Sequence, residues 1–158
     1  MPKPRQNRPK QSIESPETFV FRIDAIDPGY SFGVNQMRRE PGGYSEHAHT
    51  EIVATSMVPE KQAGRTTTFT LIGDRRITAD LEKPMEWDKA PYGIGTLTWR
   101  GEESRYLGSL PFDALTHVSA LIAADALKFI MLSGPPLKRG TTRINYMSFK
   151  ATTHLDEY

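Results

Sequence analysis

The sequence predicts an α+β domain, mainly antiparallel β, built as a β-sandwich or barrel-like sheet with one packed α-helix over residues 111–126. Three observations predict it. One segment carries the apolar spacing of a helix, many short segments alternate apolar with polar residues, and turn residues recur at intervals of about 8–12 positions. Units that alternate strand with helix are absent, which argues against a doubly wound parallel sheet.

Residues 1–16 are rich in Pro, Lys, Arg, Gln and Ser. Such a stretch buries too little apolar surface to offset the entropy of ordering, so it reads as a flexible basic arm. Residues 17–150 read as a single β-rich domain and residues 151–158 as a short polar tail. Phe19 to Ile23 is the first expected strand. Asp27-Pro28-Gly29 then reads as a turn, because Pro presets φ and Gly accepts positive φ. Tyr30, Phe32 and Val34 alternate with Ser31, Gly33 and Asn35, the pattern of a second, half-buried strand. Tyr44 to Met57 reads as one long strand. Arg65 to Ile72 alternates Thr with Phe and Leu, and Gly73-Asp74 before Arg76 to Leu81 reads as a two-residue hairpin. Residues 82–92 form an irregular loop around Trp87. Gly93 to Arg100 is a strand with Leu97 and Trp99 on one face, turned back at residues 101–104 into Arg105 to Leu107.

Leu115, Val118, Leu121 and Ile122 then share one face at helical spacing. Pro111 suits a first helical turn, Ser109 is the expected N-cap, and Asp113 complements the positive helix end. Burying the four large side chains is worth roughly 1.5–3 kcal/mol each before entropy is counted. Phe129 to Leu132 is apolar on both faces and ends at Ser133-Gly134-Pro135-Pro136, so it reads as a central strand lying beneath the helix.

At 158 residues the chain is long enough for a substantial core. A formal net charge of +1 provides no global field toward nucleic acid or a membrane surface. The charge is uneven, however. Lys3, Arg5, Arg8 and Lys10 lie in residues 1–12 without an acid, so the remainder holds 16 basic against 19 acidic residues, a net of −3. With no cysteine there is no disulfide, thiolate metal site or cysteine nucleophile. No apolar run approaches the ~20 residues of a membrane helix, and no apolar core follows the basic N-terminus as in a secretory signal. The expectation is a cytoplasmic protein without a membrane partner.

Three stretches could carry chemistry. Glu46-His47-Ala48-His49-Thr50-Glu51 on a strand puts His47, His49 and Glu51 on one face at ~6.6 Å intervals. Two imidazoles and a carboxylate suit a divalent transition metal such as iron or zinc. The stretch resembles the His-x-His element of cupin metal sites, which implies a metal-dependent β-barrel enzyme. In that family the carboxylate lies further along, and a distant histidine completes the set. The bland reading is a solvated strand face with Ala48, Thr50 and Ile52 behind it. Gly29-Tyr30-Ser31-Phe32-Gly33 matches a nucleophile elbow in letters, but a strand rather than a helix follows it. Finally, Arg38-Arg39, Arg75-Arg76 and Lys138-Arg139 fall at expected turns and, with the arm, could grip phosphates.

The expected function is a small non-enzymatic binding or assembly module, self-associating through a sheet edge or an exposed apolar patch. The metal-dependent enzyme using His47, His49 and Glu51 is the alternative. Nucleic-acid binding through the arm and the turn pairs is the third reading.

Overall fold

The computed structural model describes residues 15–34, 43–84 and 93–155. Its strands are β1 (Glu17–Val34), β2 (Tyr44–Val58), β3 (Thr66–Asp74), β4 (Gly95–Arg100), β5 (Glu103–Pro111), β6 (Phe129–Gly134), β7 (Thr141–Ile144) and β8 (Tyr146–Lys150). The helices are α1 (Arg75–Leu81) and α2 (Phe112–Ala123), with one 3-10 turn at Glu60–Gln62. All eight strands form one sheet in the order β7-β4-β5-β3-β2-β1-β6-β8, antiparallel at every pairing except β3–β5.

The outermost strands of that order, β7 and β8, are joined by Asn145 alone. The Asn145 N–H donates to the Ser133 carbonyl of β6 at 3.0 Å. The two ends of the sheet therefore meet, and the sheet curls into a nearly closed barrel with a helix against it. An eight-stranded barrel has an interior just wide enough to be filled by side chains. Alternate residues supply them: Ile52 and Ala54 from β2, Phe69 and Leu71 from β3, Leu97 and Trp99 from β4, Tyr106 from β5, Ile130 and Leu132 from β6. Phe21 meets Phe69 edge-on at 4.9 Å between centroids, and Phe19 meets Trp99 edge-on at 5.5 Å. The Trp99 indole N–H donates to Thr67 Oγ1 at 3.3 Å, so its one polar atom is partnered inside the core.

Helix α2 lies across β3 and β2, with β1 and β5 beside them. Phe112, Leu115, Ser119 and Ile122 face the sheet. Gly73 makes the approach possible: a Cβ there would stand 3.1 Å from the Phe112 ring and 3.4 Å from Leu115. Ser119 and Thr50 are both buried and share a 2.7 Å hydrogen bond between their hydroxyls, so neither polar atom is stranded.

Several expectations are corrected. The helix runs over Phe112–Ala123, not 111–126. Pro111 ends β5 and stands at the N-cap position, and Ser109 belongs to β5, its N–H donating to Ile94. Asp125, at φ 58°, turns the chain out of the helix. Ser119 replaces Val118 and Leu121 as a fully buried position, because α2 crosses the sheet at Thr50. The helix rests on β3 and β2 rather than on β6. Strand β6 lies between β1 and β8, and only Ile130, Leu132 and Gly134 of it are fully buried. The hairpin expected at Gly73-Asp74 is a strand-to-helix junction. The Asp74 carboxylate accepts the Arg76 backbone N–H at 2.8 Å, capping α1, and the neighbour of β3 on that side is β5.

There is also no turn at Asp27-Pro28-Gly29. β1 runs straight through it, Asp27 opposite Glu51, Pro28 opposite Thr50 and Gly29 opposite His49. The residue types of a turn here lie inside a strand, just past a bulge at Asp24. Ile23 pairs with Ala54 and Ala25 with Val53, so Asp24 is the extra residue. Its carboxylate accepts from Thr55 Oγ1 at 2.6 Å and from Arg22 Nε at 3.1 Å. Before the bulge the odd residues Phe19, Phe21 and Ile23 point inward; after it the even ones do. The alternation changes phase as if a turn intervened. Pro28 is tolerated because β6 reaches β1 only as far as Arg22, leaving one flank of β1 without a strand partner there.

Ser119→Ala leaves the Thr50 hydroxyl buried without a partner, and should cost about 1–3 kcal/mol in a urea melt. Adding Thr50→Val should recover part of that loss. Burial also pushes the Tyr106 phenol above its ordinary value near 10. The unfolded chain then releases this proton near pH 10 while the folded one keeps it, so stability falls as pH rises beyond 10. A melt series at alkaline pH should show this decline, and Tyr106→Phe should flatten it.

Candidate functional site

Strands β1 and β2 are longer than the barrel is tall. β3 joins β2 only from His49 onward, and β6 leaves β1 at Arg22. Beyond these points Pro28–Val34 and Tyr44–Thr50 pair chiefly with each other, as a two-stranded ribbon. Its faces follow from the shared register: Tyr30 opposite Ala48, Phe32 opposite Glu46, Val34 opposite Tyr44. These residues continue the inward face of the barrel into a region where there is no barrel left to cover them. Tyr30, Phe32, Val34 and Tyr44 are 62%, 63%, 67% and 63% exposed. Phe32 and Tyr44 stack with centroids 5.6 Å apart and planes 13° from parallel.

The base of the ribbon is fastened to the helices. Arg75, the first residue of α1, donates from Nε to Glu46 at 2.7 Å and lies 4.1 Å over the Phe112 ring of α2. The Tyr30 hydroxyl donates to the other Glu46 oxygen at 3.1 Å. The Arg75 hydrogen bond holds the Glu46 carboxyl below the usual carboxylate range, with the Tyr30 bond adding to it against the cost of desolvation. Accepting from Tyr30, Glu46 in turn pushes that phenol up. Between ribbon and helices lies an open cleft of about 470 Å³, lined by Phe32, Tyr44, Glu46, Gly73, Arg75 and Phe112 among others.

The other face of the ribbon carries His47, His49 and Glu51, all exposed, with Ala48, Thr50 and Ile52 buried behind them. The two imidazoles stack at 5.4 Å between centroids. Among the described residues no three His, Asp or Glu side chains gather in a metal-binding group. Opposite His49 stands Gly29, and a Cβ at Gly29 would collide with the imidazole. This glycine makes room for a side chain rather than forming a turn. Ser31 lies in mid-strand opposite His47, not at an elbow.

The basic pairs are dispersed. Arg75 and Arg76 follow β3 where it meets Pro111, the end of β5. Lys138 and Arg139 lie beside Arg100, whose Nε donates to the Arg139 carbonyl at 3.0 Å, near the start of β5. The length of β5, about 26 Å at strand rise, separates the two pairs. Arg75 is bonded to Glu46 and Arg76 to Asp74 at 2.9 Å. Arg38 and Arg39 lie outside the described residues. The ribbon aromatics were legible in the sequence as alternation but not as exposed, because a half-buried strand and an overhanging one share the same pattern. No known protein family, curated protein or solved structure matches this chain. Among the described residues no helix is long and apolar enough to cross a membrane.

Gly29→Ala should destabilise the fold by about 0.5–1.5 kcal/mol, because the exposed His49 imidazole must turn aside from the new Cβ. In a His49→Ala background the same change should cost much less, a coupling that a double-mutant cycle of thermal melts measures.

Proposed function

We propose that this chain is a non-enzymatic assembly module that binds a second copy of itself through the β1–β2 ribbon. The observation that carries the reading is the row Tyr30, Phe32, Val34 and Tyr44, set on the inward face yet more than three-fifths exposed. A buried aromatic removes ~150–250 Å² from water, so this row presents on the order of 450 Å² of apolar surface. That is the size of the largest contiguous patch on a typical monomer, a patch that is often functional. A second copy that covers part of this row and pairs with the ribbon backbone brings the buried area toward the ~1,200–2,000 Å² range of specific interfaces. An isolated two-stranded ribbon is also marginal in water and gains from a neighbour.

The alternatives draw less support. His47, His49 and Glu51 share an open face, but among the described residues they do not gather into a group that could hold a metal ion. The described basic pairs stand at opposite ends of β5, too far apart to share one short run of phosphates.

Light scattering on the full chain across a dilution series tests the proposal. Self-association that weakens on dilution is expected, and Phe32→Ser with Tyr44→Ser should weaken it about 100-fold or more while the circular dichroism stays unchanged. A chain that stays monomeric at the highest soluble concentration would overturn it.

A further inference from the structure

Among the described residues, the ribbon has two edges without a strand partner as well as an exposed face. Among the described residues, β1 has no strand partner on its outer side from Asp24 to Val34, and β2 has none on its outer side from Tyr44 to Ala48. The two edges lie on opposite sides of the ribbon and at the same height, since Tyr30 pairs with Ala48 and Val34 with Tyr44. Pro28 cannot donate to a ladder, so it divides the β1 edge and leaves Gly29–Val34 as its uninterrupted outer part. That part is six residues long, against five for Tyr44–Ala48. Exposed edges are ordinarily protected by lysine or other charge. Gly29–Val34 contains no charged residue, and the only one in Tyr44–Ala48 is Glu46, already bonded to Arg75 and Tyr30.

We infer that the second copy binds head to tail: the Gly29–Val34 edge of one chain pairs with the Tyr44–Ala48 edge of the next, forming an assembly of more than two copies. This rests on the self-association proposed above and specifies its geometry. The two strands are antiparallel within one chain, so ribbons set side by side in the same direction bring β1 antiparallel to the neighbouring β2. The aromatic faces then stay on one side. Tyr30 and Phe32 meet the next copy's Tyr44 and Glu46 as they meet their own. A two-fold contact uses one edge twice and leaves the other bare in both copies. A head-to-tail contact uses both edges, and it closes as a ring or runs on as a filament.

The test uses two full-length variants, each blocking one edge with lysine on the polar face of the ribbon. Ser31→Lys with Gly33→Lys blocks β1, where a Cβ on Gly33 meets nothing within 4 Å. Ser45→Lys with His47→Lys blocks β2. Gly33→Lys alone and Ser45→Lys alone replace them if circular dichroism shows either double variant unfolded. Wild type should sediment as more than two copies, each variant alone as a monomer, and the mixture as a one-to-one dimer joined by the single intact pair of edges. A dimeric wild type, a variant that dimerises alone, or a mixture that stays monomeric would overturn the head-to-tail geometry. A wild type that is monomeric throughout would overturn the self-association itself.

Discussion

The long pairing of β1 with β2 is the constraint on which the rest depends. At one end the pair is two staves of a barrel, flanked by β6 and β3 and filled by Phe19, Phe21, Ile52 and Ala54. At the other, among the described residues, it continues without a third strand. Strand side chains alternate strictly, so a face that is inward in the barrel stays on the same side beyond it. Aromatic residues there are placed by the same register that fills the core. The bulge at Asp24 sets the phase of that register, and Thr55 and Arg22 hold it by hydrogen bonds to the Asp24 carboxylate. Without the extra residue, Ser31 and Gly33 would lie on the core side, and the aromatic residues would share the histidine face.

A second level of order joins ribbon to barrel. Arg75 sits where β3 gives way to α1, and from there reaches Glu46 on β2 and Phe112 on α2. Arg75 and Glu46 are exposed, so solvent screens their attraction and the pair contributes little net stability. Its effect is directional. A bonded guanidinium over an aromatic ring restricts how the ribbon can lean against α2. Stability comes from elsewhere, from the aromatic core and from Phe112, Leu115 and Ile122 pressed over β3 and β2.

The parts of this fold legible in the sequence were those in which one segment carries its own signal. β2, the turn at Gly101-Glu102 and the apolar α2 fall within a few residues of where their patterns put them. The errors have specific causes. Asp27-Pro28-Gly29 carries the residue types of a turn just past the Asp24 bulge, so a continuous strand reads as two. Gly73-Asp74 satisfied the letters of a hairpin, but the Asp74 carboxylate capped a helix instead. Ser119 is polar and carries no apolar signal of burial, and its buried partner Thr50 is distant in sequence. The candidate site was legible in the same partial way. The His47–Glu51 face was visible as a face, with both a metal-binding and a solvated reading, and the side chains do point away from the core.

The sequence by itself determined the class of the protein, mainly β with one amphipathic helix, because periodicities of two and 3.6 residues are local and survive in any arrangement. It also determined which residues share a face. Only the tertiary structure decided which strands end early. Whether Tyr30, Phe32 and Tyr44 are core or surface depends on the lengths of β3 and β6, their neighbours across the sheet. Exposure belongs to the assembled sheet, and no stretch of chain encodes it alone.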